Sequence, residues 1–195
     1  MFNRTLVKSM LAELADRQCG AVATLMLARF RRMFMADARE EVTSESTQQV
    51  VQDAYNYCLR KAAGEVVSST AIRARFNELL GPDESPFEDP EEIEPWFIDL
   101  VSTADYAVRT WERPDVSGSV CFDALLSAYS IAGGLEDDPE LTPTSPLGQL
   151  EFERQIADMR AIQSGVGVEE LIEIGGQLAQ AYAERFLEYI HHYQG

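Results

Sequence analysis

The chain reads as an all-α bundle of about eight helices. Apolar residues recur at three- and four-residue spacings through nearly every segment. No stretch sustains the alternation of a half-buried strand, and Ser, Gly and Pro punctuate the chain at helix-length intervals. With 195 residues, 46% of them hydrophobic, a core can form without disulfide or metal staples. One domain over 1–195 follows, with the Pro-rich stretch 82–95 the place where it would subdivide. No fixed-period repeat occurs, which argues against a solenoid.

The first helix is expected over 3–14, with Leu6, Met10, Leu11 and Leu14 on one stripe. The second spans 17–38. Val22, Leu25, Met26, Phe30 and Met33 form its inner face, and Arg29, Arg31, Arg32 and Arg39 make it the most basic segment. Ser44 or Ser46 can cap a third helix that stops at Ala63-Gly64, with Val50, Val51, Ala54, Tyr57, Cys58 and Lys61 repeating at three and four. Ser68-Ser69 starts a short fourth helix, which Gly81-Pro82 ends. The segment 82–95 is a loop with four prolines.

Trp96 opens a fifth helix to Trp111, with Phe97, Leu100, Val101, Ala104 and Val108 inward. Asp115 can cap a sixth, running through Val120, Phe122, Leu125, Leu126 and Tyr129 to Gly133-Gly134. Ser145-Pro146 supplies a cap and a first-turn proline for the seventh, which reaches Ile162. After the Gly165-Val166-Gly167 turn, one long last helix spans 168–193. Leu171, Ile174, Leu178, Tyr182, Phe186, Tyr189 and Ile190 lie on one side of it.

The formal charge is −17, and it is uneven. Residues 1–80 hold 11 basic and 9 acidic side chains, net +2; residues 81–195 hold 5 and 24, net −19. Such a surface repels phosphate backbones and anionic membranes, so neither nucleic acid nor a membrane is an expected partner. A basic protein is, because complementary fields raise on-rates. Cys19, Cys58 and Cys121 are odd in number and widely spaced, with no C-x-x-C pair, which excludes a zinc ribbon and fits a reducing compartment; Cys19 and Cys58 lie in helix-like apolar surroundings, as core-filling thiols do. The first residues lack the apolar stretch of a signal peptide. The longest uncharged runs, Gln18–Ala28 and Ala124–Leu135, fall short of the roughly 20 residues that cross a bilayer. A cytosolic location is expected.

The chain offers little catalytic equipment. Its two histidines, His191 and His192, are adjacent and point about 100° apart on a helix. Glu188-x-x-His191 has the spacing of a di-iron bundle motif, but a second copy would need a histidine elsewhere. No G-x-S-x-G, no strand-borne G-x-G-x-x-G and no Walker A lysine occurs. Glu151 with Glu153, or Glu169, Glu170 and Glu173, could form a carboxylate pair; most such residues are a solvated helix face. No catalytic, cofactor or metal residue is therefore assigned. Trp96 and Trp111 are core residues on composition, and exposed aromatic anchors as the alternative.

Pro146, Glu151, Phe152 and Gln155 form P-x(4)-E-[aromatic]-x(2)-Q at a helix start. With Leu14, Ala28-Arg29-Phe30 and Ala104-Asp105-Tyr106-Ala107, this resembles the YjaG-like family of bacterial proteins, domain of unknown function 416. Arg31-Arg32-Met33-Phe34 stands where that family usually has a proline-aromatic segment. The resemblance spans nearly the whole chain and implies an all-helical fold, with no activity or catalytic residue attached.

The expected function is that of a non-enzymatic acidic protein-binding module, such as an immunity- or antitoxin-like inhibitor of a basic partner. The expected contact residues are the acidic loops: Asp83, Glu84, Glu88, Asp89, Glu91, Glu92, Glu94, Glu136, Asp137, Asp138 and Glu140. The alternatives are a self-associating helical domain, with the basic half of one copy on the acidic half of another, and a carboxylate- or metal-dependent enzyme.

Overall fold

A computed structural model of the chain describes residues 2–34, 45–80, 95–135 and 147–194. These residues form nine α-helices and one 3₁₀ turn, with no strand among them. The helices are α1 (Arg4–Ala12), α2 (Asp16–Phe34), α3 (Glu45–Ala62), α4 (Thr70–Leu80), α5 (Pro95–Glu112), α6 (Ser117–Gly134), α7 (Leu147–Gln163), α8 (Val168–Ile174) and α9 (Gly176–Gln194). The all-α architecture matches the periodicity of the sequence.

The organising element is α2, which packs against α3, α5, α6, α7, α8 and α9. Every residue from Cys19 to Phe30 on it is buried. The inner face read from the sequence holds: Val22, Leu25, Met26, Phe30 and Met33 are at most 1% exposed. Burial extends well beyond that stripe, however, because neighbours surround the helix. The second apolar helix, α6, belongs to a 21-residue stretch, Pro114–Gly134, that is long and apolar enough to cross a membrane by length and composition. Asp115 and Asp123 break it into the shorter uncharged runs seen in the sequence. Cys121, Ala124, Leu125 and Ala128 on α6 are fully buried in the common core.

Several boundaries differ from the sequence reading, each for a local reason. On α1 the inward residues are Val7 and Leu11, whereas Leu6 is exposed. Phe2, just before the helix, packs among Phe122, Tyr129 and Phe152, with ring centroids 5.1–6.0 Å apart. The helix is capped by Asn3, whose side chain accepts the Leu6 N–H. Asp115 does not cap α6; it sits in the 3₁₀ turn Pro114–Val116. The long last helix is interrupted at Gly175, so α8 and α9 are separate. A Cβ there would come within 3.6 Å of the Arg29 side chain, which fills the space beside the break. Gly64, at φ +90°, ends α3 in the left-handed region that disfavours other residues.

All three cysteines are buried free thiols, the core role expected of Cys19 and Cys58 and shared by Cys121. Burial raises the pKa of each, most for Cys58 and Cys121.

Candidate functional site

An ionic cluster lies at the centre of the bundle. Arg29 of α2 is 3% exposed, Glu151 and Gln155 of α7 are 0%, Asp158 is 1% and Tyr182 of α9 is 0%. Glu151, Gln155 and Asp158 share one helical stripe with the buried Leu147 and Ile162, so the register that buries the apolar residues buries the polar ones too. The Arg29 Nε and Nη2 donate to Glu151 Oε2 and Oε1 at 3.0 and 2.7 Å, the bidentate fork that suits a carboxylate. Its Nη1 donates to Asp158 Oδ2 at 2.6 Å. Tyr182 donates its hydroxyl to Glu151 at 2.7 Å, and Gln155 donates to Glu151 and to the Leu125 carbonyl. Arg154 donates to the second oxygen of Asp158.

Burial opposes the Arg29 charge, but the Glu151 and Asp158 carboxylates more than offset it, and the guanidinium is held firmly protonated. The carboxylates are enclosed and accept from Arg29, Arg154, Gln155 and Tyr182. The cluster ties α2, α7 and α9 together and offers a substrate no open face. Glu151, read from the sequence as one member of an acid pair, is thus a core residue; Glu153 is exposed and accepts from Gln149. The signal that could have marked Glu151 was its place on the stripe between Leu147 and Ile162.

A second ionic cluster joins α5, α4 and α3. Asp105, 4% exposed, pairs with Arg73 and, at 2.7 Å, with Arg109. Glu112 accepts the Ser69 hydroxyl and lies 3.7 Å from the Arg73 Nε. Burial raises the Glu112 pKa, against the pull of Arg73. Tyr57, buried beside this cluster, has its pKa pushed up to about 12 by burial and by the Glu112 charge. Arg75 pairs with Asp53 at 2.6 Å, linking α4 to α3. Arginines of the basic first half are therefore spent on acids inside the fold.

A groove of about 550 Å³ opens between α3 and α8. Its apolar lining includes Tyr55, Leu59, Val168 and Ile172, and Glu169 and Glu173 also line it. Arg31 stacks on Tyr55, 4.1 Å from the ring centroid, and donates to Gln52 at 2.8 Å. Leu171 anchors α8 in the core, leaving Glu169, Glu170 and Glu173 exposed and without an ion pair among the described residues. The solvated face read for these three is what the fold presents.

The eleven loop carboxylates expected to bind a partner, Asp83, Glu84, Glu88, Asp89, Glu91, Glu92, Glu94, Glu136, Asp137, Asp138 and Glu140, lie outside the described residues. So do Ser145 and Pro146. Among the described residues, no group of three or more His, Cys, Asp or Glu side chains is placed to hold a metal ion. No protein-family model, curated protein or solved structure matches the chain, so the likeness to YjaG-like proteins rests on the residues quoted for it.

Proposed function

We propose that the chain is an acidic, non-enzymatic protein-binding module, and that its partner presents a basic amphipathic helix to the groove between α3 and α8. The observation that carries the reading is the disposition of charge. Arg29, Arg73, Arg109 and Arg154 are neutralised inside the fold by Glu151, Asp158, Asp105 and Glu112. Glu169, Glu170 and Glu173 stay exposed and unpaired among the described residues, and Glu169 and Glu173 meet an apolar surface at the groove. An apolar stripe on the partner would fill the space over Leu59 and Ile172, while its lysines and arginines would meet Glu169, Glu170 and Glu173. The acidic segments 83–94 and 136–140 add long-range attraction. An inhibitor of a basic enzyme or toxin, of the immunity or antitoxin kind, is one concrete form of this module.

A Leu/Lys amphipathic helical peptide, titrated into ¹⁵N-labelled protein, tests the reading. The expected result is saturable shifts centred on Ala62, Val168 and Ile172, weakening as salt rises, with the Glu169→Lys/Glu173→Lys variant binding about tenfold less tightly. Shifts centred elsewhere, salt-independent affinity, or equal binding by the charge-reversed variant overturns it. A concentration-dependent dimer whose contact is this groove would replace the partner with a second copy.

A further inference from the structure

A second cleft, of about 310 Å³, lies where the start of α2, the end of α3 and the end of α5 meet. Trp111 lines it together with Val66 and Pro114, and the indole ring is held in one place. The indole Nε1 donates to Thr24 Oγ1 at 3.1 Å. The ring also rests directly on Gly20, where a Cβ would lie 2.5 Å from ring carbons. Only a residue without a side chain lets the indole lie on the α2 backbone.

The charged groups around this wall are unequally committed. Asp16 accepts the Ser117 hydroxyl at 2.7 Å, and Glu65 pairs with Arg60 at 2.7 Å. Among the described residues, neither cation of the cleft, Arg17 or Lys61, forms an ion pair. Arg17 donates to a neutral acceptor, the Ala62 carbonyl, at 3.0 Å. Lys61 feels the Glu112 charge but forms no hydrogen bond or ion pair among the described residues. In a protein of net charge −17, this corner sets two cations that form no ion pair among the described residues beside a fixed aromatic surface, with Asp16 and Glu65 also on its lining.

We infer that this cleft binds a small aromatic carboxylate. Its ring would stack on Trp111, as flat π-systems pack on indole, and its carboxylate would take the donors of Lys61 and Arg17. The cleft's volume is at the small end of ligand-sized sites. The inference is independent of the groove between α3 and α8 and stands whether or not a protein binds there.

Benzoate is the probe, with benzyl alcohol and benzylamine as the neutral and cationic controls, followed by ¹H–¹⁵N NMR. The Trp111 indole N–H is assigned by its loss in Trp111→Phe. The expected result is saturable benzoate shifts at the Trp111 indole and at the amides of Arg17 and Gly64–Val66, with both controls binding at least about fivefold more weakly. Lys61→Gln, a half-buried site outside the core, should keep the native spectrum and weaken benzoate about fivefold. The inference is overturned if benzoate gives no saturable shift up to about 20 mM, if benzylamine binds as well, or if Lys61→Gln leaves the affinity unchanged.

Discussion

Arg29 and Glu151, 122 residues apart in the chain, meet edge to edge in the interior, with both carboxylate oxygens within 3.0 Å of guanidinium nitrogens. The pair has no access to water, since neither residue is more than 3% exposed. Such a pair adds little net stability over an apolar replacement, but breaking it is expensive. Arg29→Met should therefore cost about 3–5 kcal/mol, because Glu151 is left buried without its cation and Asp158 keeps only Arg154. Adding Glu151→Gln and Asp158→Asn to that variant should recover part of the loss. Urea unfolding of the single and triple variants checks both, and equal stabilities for the two would refute the account.

Gly20 and Trp111 make a second prediction. Gly20→Ala places a methyl group inside the indole ring's volume, and overpacking of this kind costs about 1–3 kcal/mol. Trp111→Leu in the same chain should remove the clash, so the two changes should be markedly non-additive. A double-mutant cycle by thermal unfolding measures the coupling; additive effects would count against the packing described.

Tyr57 gives the fold an alkaline limit. Burial, with the Glu112 charge, holds its native pKa near 12 against the usual value near 10. Between those values the unfolded chain loses the phenolic proton first, so the folded state binds more protons and stability falls as pH rises. Tyr57→Phe should abolish that component, and wild type should lose on the order of 1 kcal/mol more than the variant between pH 9 and 11. Paired melts across that range provide the measurement.

Thiol reactivity supplies a fourth test. Cys19, Cys58 and Cys121 are each at most 1% exposed, and burial disfavours all three thiolates. Native protein should react with a disulfide-exchange reagent at the rate of global or local opening, whereas protein in denaturant should release three equivalents at once. A fast native equivalent would show that one of these helices opens more readily than its packing implies.

Much of this was legible in the residues. The apolar spacing on α2 located its core face, and Gly64 and Gly165 marked real chain breaks. What misled was residue type. Arg29 lies among three other arginines and reads as part of a basic surface, yet it turns inward because α7 offers two carboxylates at the matching height. Glu151 reads as an ordinary solvated acid for the converse reason. Local pattern reveals which face of a helix is buried, but not which charged side chains find a partner there, since that partner comes from a distant segment. The α8–α9 break was hidden likewise: the Gly175-Gly176 pair continues an acceptable helical period, and what accompanies the interruption is the Arg29 stem beside it.

The enclosure of α2 also dictates when the chain can finish folding. Phe30 stacks on Tyr182 at 4.8 Å, and the counter-ions of Arg29 arrive only with residues 151–158. During synthesis, a nascent chain ending before α9 would carry α2, the helix at the centre of the core, with one flank uncovered, a state prone to misassembly. Sealing that flank demands contacts of long sequence separation, so maturation waits on α9 to leave the ribosome.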